Sequence, residues 1–146
     1  MAATIADILG YKGTDVIRVG ASAPAREVVA LLARHGIGAV VVVDDADVPR
    51  GVAAERDLIH ALAREGTGVL GTPISRIMST EIPTCRPEAK VDDVAALMTQ
   101  GRHRHVPVVV DGSLAGIVSV GDVVRSRLEN LSDTAEQLQA YVAGTY

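Results

Sequence analysis

Two short polar stretches carry the residue types and spacing best suited to chemistry. Each lies where a predicted strand runs into a predicted helix: Ser119-x-x-Asp122 in one, and Asp57 at the matching position of the other, with Ala54 in place of the serine. A helix start exposes unpaired N–H groups and the positive end of the helix dipole, which favours a phosphate. A carboxylate there can accept two hydrogen bonds, such as those of ribose hydroxyls. The Ser-x-x-Asp spacing is also an ordinary capping box, so the stretch alone leaves both interpretations open.

A basic run, Arg102–His105, directly precedes the apolar run Val106–Val109. Arginine suits phosphate because its planar fork donates two hydrogen bonds at once. The alternative is a solvated loop before a buried strand. A zinc site built from these histidines and Cys85 has no support, because the sequence lacks CxxC or HxxxH spacing. We therefore expect an anion-binding role, or none, and no metal site.

The elements that position these residues occur twice along the chain. Each half predicts a turn, a strand, a helix, two strands and a second helix. In the first half, Gly36 is a suitable end for a helix, and the β-branched run Ile37–Val43 is typical of a buried strand. In the second half, the first strand is expected at 81–85, which mirrors 15–19. The helical run Val28–Leu32 is mirrored by Val94–Met98, and Gly51 by Gly116, about 65 residues later in the same register. A repeat that holds its register across several elements predicts two similar units packed as one module.

The repeat sets the predicted boundaries. The segments are a first repeat at 1–66, a linker at 67–73, a second repeat at 74–130 and a helical tail at 131–146. The tail has apolar residues at helical spacing, so we expect it to extend the last helix and either cover the module or pair with a second chain. At the other end, Thr4–Leu9 predicts one short helical turn that Gly10 terminates.

Composition limits the class of protein. The 146 residues are 48% hydrophobic but 2% aromatic, and the net charge is −4. An acidic chain without interleaved aromatics argues against nucleic acid or an anionic membrane as the main partner. The single cysteine fits a reducing compartment, no signal peptide is evident, and the apolar run Ile37–Val43 is too short to cross a bilayer. These features predict a cytoplasmic protein.

Three segments carry a resemblance to a known family: Gly51-x-x-Ala54-x-x-Asp57, Gly116-x-x-Ser119-x-x-Asp122 and the run Arg104–Val109. The chain resembles the cystathionine β-synthase (CBS) domain pair of the stand-alone bacterial type, from Ile5 to Leu128. The resemblance implies an α+β fold. In that fold, two pseudo-symmetric βαββα-type CBS repeats pack sheet to sheet as one module, and a C-terminal helix follows.

The resemblance also implies a function. It indicates a non-catalytic regulatory module that binds adenosine nucleotides between the repeats, AMP foremost, or ADP, ATP or NAD(H), and signals to a regulated protein that the sequence does not identify. No cofactor is required, and a homodimer is expected. Alternatives are an S-adenosylmethionine-binding pair and a constitutive dimerisation scaffold with vestigial sites. A small enzyme is disfavoured, because the chain has no Gly-rich phosphate loop and no matched nucleophile–base pair.

The resemblance assigns ligand-binding roles to particular positions. The ribose would bind Asp122 in one cleft and Asp57 in the other, and a basic side would bind phosphate. The phosphate side comprises Ser119, Arg104, His105, Arg102 and Arg56, while the base pocket comprises Thr84, Ile82 and Pro83 in one half and Ile17 and Arg18 in the other. Because the first half has Ala54 for the serine and an acidic Glu55 nearby, we expect unequal clefts with the tighter one at Asp122.

Overall fold

The computed structural model describes residues 2–143. The helices are α1 (Ile5–Lys12), α2 (Ala25–His35), α3 (Glu55–Glu65), α4 (Val91–Gly101) and α5 (Val120–Val142). The strands are β1 (Arg18–Gly20), β2 (Ala39–Val43), β3 (Pro49–Ala54), β4 (His105–Val110) and β5 (Ser113–Ser119). Two short 3-10 helices follow α3: Thr67–Gly71 occupies the predicted linker, and Ile74–Arg76 begins the second repeat.

Each repeat is built on a small sheet. In the first, β1 pairs with β2 in parallel and β2 pairs with β3 antiparallel; in the second, β4 pairs with β5 antiparallel. The strand predicted at 81–85 is reduced to a single parallel bridge between Cys85 and Val108. Pro83 and Pro87 lie on either side of that bridge, and proline has no N–H to extend a ladder. The doubled architecture is present, but the second sheet is smaller.

The two repeats exchange their leading segments. Ile5 and Ile8 of α1 are fully buried in the core of the second repeat, while Ile74 is fully buried in the core of the first. Backbone hydrogen bonds fix both crossings, because Ile5 N donates to Ala89 O at 2.9 Å and Ile74 N donates to Ala23 O at 2.8 Å. Each aliphatic core is therefore completed by the other half of the chain, and the repeats form one module.

The exchange of leading segments explains why glycine occurs at the matching positions 51 and 116 of the two repeats. A Cβ on Gly51 would lie 2.6 Å from Met78 Sδ and 2.9 Å from the carbonyl oxygen of Ser79. A Cβ on Gly116 would lie 2.9 Å from Cδ2 of Leu9. All three distances are shorter than van der Waals contact. Glycine is needed at these positions because the leading segment of the other repeat passes directly over each strand.

Helix α1 is longer than the sequence predicts. It continues through Gly10 to Lys12 and ends at Gly13, which has a φ of 96°. The prediction that Gly10 ends the helix is wrong, since the burial of Ile8 and Leu9 outweighs the roughly 1 kcal/mol that an interior glycine costs. The additional turn brings Lys12 to the start of α5.

The predicted extension of the last helix is confirmed, because α5 is continuous over 23 residues. For the described part of the tail, residues 131–143, the alternative that it covers the module is wrong. Leu131 is 66% exposed, Leu138 61% and Val142 85%, so these apolar side chains do not pack on the core of the module. Within residues 2–143, no helix is both long enough and apolar enough to traverse a lipid bilayer.

Candidate functional site

A cavity of about 560 Å³ lies between the two repeats. This volume is within the range of small-molecule sites. Its walls come from the starts of α3 and α5, the loop between α4 and β4, and the segment that follows the second 3-10 helix. The cavity brings together the following predicted site residues: Arg56, Asp57, Ile82, Arg102, Arg104, His105 and Ser119.

The two helix starts in this cavity differ in their caps. At α5, Ser119 Oγ accepts the Asp122 N–H at 3.2 Å, and Asp122 Oδ2 accepts the Ser119 N–H at 2.8 Å, which completes a capping box. At α3, Ala54 has no oxygen to offer, and only the reciprocal bond remains, from Ala54 N to Asp57 Oδ2 at 2.9 Å. The start of α3 therefore lacks a side-chain cap. The Glu55 N–H donates to the Gly38 carbonyl oxygen at 3.0 Å, and the amides that follow it in the first turn are the ones that could face an anion.

Asp57 lies in the cavity, and one of its carboxylate oxygens can exchange its present hydrogen-bond partner for a ligand. Its Oδ1 accepts a hydrogen bond from Ser79 Oγ at 3.1 Å, across the boundary between the repeats. A serine hydroxyl can rotate, and it can donate to and accept from a newly bound hydroxyl. Ile82 is half-buried in the same wall and offers an apolar surface. Carboxylate, hydroxyl and apolar side chain together form a surface that fits a sugar with an attached flat ring.

Three arginines give the cavity a basic side. Arg56, Arg102 and Arg104 are exposed, and within the described part of the chain none of them forms an ion pair. They also line an adjoining groove of about 460 Å³, to which α5 contributes Arg127. Glu55 is the acidic residue, besides Asp57, in the lining of the cavity. Three cations without carboxylate partners favour an anionic ligand over a neutral or cationic one.

His105 is half-buried at the interface between the repeats. Its ring lies opposite Gly38, where an added Cβ would be 3.5 Å from Nε2. Burial lowers the pKa of His105, and the nearby charges of Lys12 and Arg104 lower it further. The imidazole is therefore mainly neutral at pH 7, so it can offer the ligand a hydrogen bond but not a full positive charge.

Asp122 faces α1 and is not part of the cavity lining. Its Oδ2 accepts a hydrogen bond from Lys12 Nζ at 2.5 Å, and the same ammonium donates to the Ile117 carbonyl oxygen at 2.8 Å. Burial raises the pKa of Asp122, but the Lys12 ammonium and the Ser119 donors outweigh burial and hold that pKa below its ordinary value. The Oδ2 of this predicted ribose ligand is thus already bonded within the protein.

Sequence reasoning missed two residues that contact the predicted ribose ligands: Ser79, which lines the cavity and donates to Asp57, and Lys12, which donates to Asp122. Lys12 lies four residues after Ile8 and three after Leu9, so on a continuous helix it shares their face. That face packs on the second repeat. The spacing of Lys12 from Ile8 and Leu9 is visible in the sequence, but a predicted helix that ends at Gly10 does not include Lys12.

Other predicted residues lie outside the cavity. Arg18 forms an ion pair with Asp47 in the β2–β3 hairpin. Thr84 is exposed, while Pro83 and Ile17 are partly buried beyond the lining. Residues 2–143 contain no group of three histidine, cysteine, aspartate or glutamate side chains placed to hold a metal ion.

The sequence model of the CBS domain family matches residues 5–64 and again 74–129. The chain belongs to the CBS domain family. It is 34% identical over 120 residues to the CBS domain-containing protein YhcV of Bacillus subtilis, an alignment that covers 82% of this chain and 84% of that protein. The crystal structure of the CBS-domain containing protein ATU1752 from Agrobacterium tumefaciens is 42% identical, with a TM-score of 0.82, and covers 86% of this chain and 99% of that one.

A third similar structure contains bound ligands. The CBS domain pair of protein MJ0100, solved in complex with 5′-methylthioadenosine and S-adenosyl-L-methionine, is 27% identical with a TM-score of 0.77 and covers 86% of this chain and 95% of that one. The predicted α+β class, with two CBS repeats packed sheet to sheet and a C-terminal helix, is confirmed. CBS pairs are in general regulatory, ligand-binding modules.

Proposed function

We propose that this CBS pair is a non-catalytic sensor that binds one adenosine nucleotide per chain in the cavity between its repeats. The observation that carries the proposal is the composition of that cavity. Asp57, the uncapped start of α3 and three arginines without ion-pair partners line one hollow of about 560 Å³. A ribose diol, a phosphate and an apolar ring each find a complementary surface there.

Asp57 is the proposed ribose ligand. Its Oδ1 exchanges the Ser79 hydroxyl for a ribose hydroxyl, while Oδ2 keeps its bond to the Ala54 N–H. Asp122 is less suited, because Lys12 and Ser119 already satisfy its Oδ2 and the side chain lies outside the cavity. We therefore place the stronger site at Asp57, although the motif by itself favours Asp122.

The arginines decide the class of adenosine ligand. Arg56, Arg102 and Arg104 favour a ligand that carries phosphate, and AMP is the smallest one that does. The sulfonium of S-adenosylmethionine brings a positive charge into the same basic surroundings, and its carboxylate offsets that only in part. The MJ0100 complex supports adenosine recognition by this fold, and the charges support a nucleotide in this chain.

Binding would act on packing between the repeats or between chains. The cavity wall contains residues of both repeats, so an occupied cavity stabilises the arrangement in which those walls are closest. A partner protein could then distinguish the two arrangements. No cofactor or catalytic group enters this proposal.

Isothermal titration calorimetry with AMP, ATP, NADH and S-adenosylmethionine tests it. We expect AMP to bind with one site per chain, and Asp57→Asn to weaken binding about 10- to 100-fold, the effect of losing one charge-assisted hydrogen bond worth about 1.5–3 kcal/mol. Asp122→Asn is the matched control and should leave affinity within about threefold. Loss of binding with Asp122→Asn alone would contradict the assignment. If none of the four ligands binds at millimolar concentration, or if they fail to raise the melting temperature, the vestigial scaffold is the better account.

A further inference from the structure

Arg102 has a backbone conformation that arginine seldom adopts. It caps the end of α4 with φ 56° and ψ 36°, in the left-handed region, and its N–H donates to the Met98 carbonyl oxygen. This conformation brings the Cβ too close to the following carbonyl oxygen, so glycine is the usual residue there. Within residues 2–143, the other non-glycine residues with positive φ are Asp47 and Asp111. Both lie in hairpin turns, where a short polar side chain tolerates the left-handed region.

The first repeat shows what the same position needs structurally. Gly36 ends α2 with φ 60° and ψ 38°, and its N–H donates to the Leu32 carbonyl oxygen. The two helix ends therefore have the same backbone, but the first one has glycine at the left-handed position. The last turn of α2 also contains Arg34 and His35, which interact favourably with the helix dipole from right-handed positions. Neither the turn nor the dipole requires an arginine at position 102.

Arg102 lies where the two hollows of the site meet. It lines both the cavity between the repeats and the adjoining groove of about 460 Å³. The two linings also share four other residues: Arg56, His103, Arg104 and Val120. Because the hollows have this wall in common, a chain of phosphates that begins in the cavity can continue into the groove.

The groove is the more basic of the two hollows. Its described lining holds four arginines and no carboxylate, whereas the lining of the cavity also contains Glu55 and Asp57. Arg127 is paired with Asp92 at 3.2 Å, and the other three arginines have no ion-pair partner in the described part of the chain. An anion in the groove therefore gains charge–charge attraction without displacing an existing ion pair at those three side chains.

We propose that Arg102 is a specificity-determining residue, held in the left-handed conformation so that its guanidinium binds the second phosphate of a nucleotide at the mouth of the groove. This inference rests on the proposed function, and it narrows the ligand to a nucleoside diphosphate or triphosphate. Strained backbone conformations persist where function requires them. The chain forgoes the stability that glycine would give this helix end, and it gains a planar donor that can bridge neighbouring phosphates.

Thermal unfolding of the full chain tests the strain. Arg102→Gly should raise Tm by about 2–4 °C, and Gly36→Arg, at the matching position of the first repeat, should lower it by a similar amount. Arg102→Lys keeps both the charge and the left-handed backbone, so its Tm should stay within about 1 °C of the wild type. An Arg102→Gly variant that melts at or below the wild-type temperature would overturn the proposal, because the conformation would then carry no cost.

Calorimetric titration with ADP and with AMP, in magnesium-free buffer, tests the specificity. We expect the wild type to bind ADP about tenfold more tightly than AMP, and Arg102→Gly to reduce that ratio to within about twofold. Arg102→Lys should keep part of the preference, since its ammonium retains the charge but not the planar fork. Arg34→Gln removes a positive charge outside both hollows, so this matched control should keep the wild-type ratio.

The outcomes separate this inference from the proposed function. If AMP binds and ADP binds no more tightly, or if the preference for ADP survives in Arg102→Gly, the role of Arg102 is overturned while the sensor proposal stands. The second of these results, together with a raised Tm, would make Arg102 a structural residue only. If neither nucleotide binds the wild type at millimolar concentration, both proposals are overturned.

Discussion

The contact between Lys12 and Asp122 leads to a prediction that can be worked through quantitatively. The two side chains are 29% and 20% exposed, so the pair is less screened than a surface ion pair but is not dry. Exposed pairs contribute about 0.2–1 kcal/mol and hydrogen bonds to charged groups about 1.5–3 kcal/mol. We expect a coupling free energy near the boundary of those ranges, about 1 kcal/mol, equivalent to about 3 °C in melting temperature.

A double-mutant cycle of Lys12→Met and Asp122→Asn, measured by urea unfolding, isolates this coupling. The exposed pair Arg86–Glu88, with side chains 71% and 72% exposed, provides a control cycle that should give almost none. Because the pKa of Asp122 is lowered in the folded state, its stabilisation is complete above the unfolded pKa. The coupling should therefore shrink as pH falls from about 5 towards 3. Additive single mutants, or a coupling that is the same at both pH values, would refute the reasoning.

Two further predictions concern the crossing segments and the interface histidine. Gly51→Ala should lower the free energy of unfolding by about 1–3 kcal/mol and Gly116→Ala by less, because the first meets a backbone carbonyl and the second a rotatable leucine end. Thermal unfolding measures both, and Gly20→Ala, with nothing within 4 Å, should change little. For His105, the folded pKa is lowered, so stability is present above the ordinary pKa of 6.5 and is lost as pH falls below it. Urea unfolding from pH 7.5 to 5 should show that loss in the wild type and in His35→Gln, but not in His105→Gln. If the free energy of unfolding of the wild type does not change between pH 7.5 and 5, His105 does not contribute to the pH dependence of stability.

Most of the architecture was readable from sequence because periodicity and register are local signals. The β-branched run before the first hairpin and the glycine after His35 gave β2 and the end of α2 correctly, and Gly36 adopts the left-handed conformation that such a stop requires. The repeat then carried the same elements into the second half. What failed was a helix end, at Gly10, and a strand, at 81–85. The helix end depended on a tertiary contact, because burial of Ile8 and Leu9 extended the helix. The strand was lost because Pro83 and Pro87 supply no N–H to a ladder, and the repeat was given more weight than these prolines.

The candidate site was only partly predictable for a related reason. The motif identified both helix starts and the arginine run, and the cavity contains most of these residues. The motif could not show which aspartate faces the hollow, since Asp57 and Asp122 are both the third residue of their helices. That difference arises from Ser79 at one aspartate and Lys12 at the other, each supplied by a segment distant in sequence. The identity of the ligand and the roles of the residues that would bind it stay predictions.

The exchanged leading segments make the covalent connection between the halves dispensable in principle. Each core already receives an essential isoleucine from the opposite half, so the two pieces produced by a cut near Gly68 would each hold something the other needs. We therefore expect the two fragments to associate with each other, as the two halves of a split reporter protein do. We expect a chain opened at the exposed Gly68, within the 3-10 helix Thr67–Gly71, to keep both isoleucine crossings.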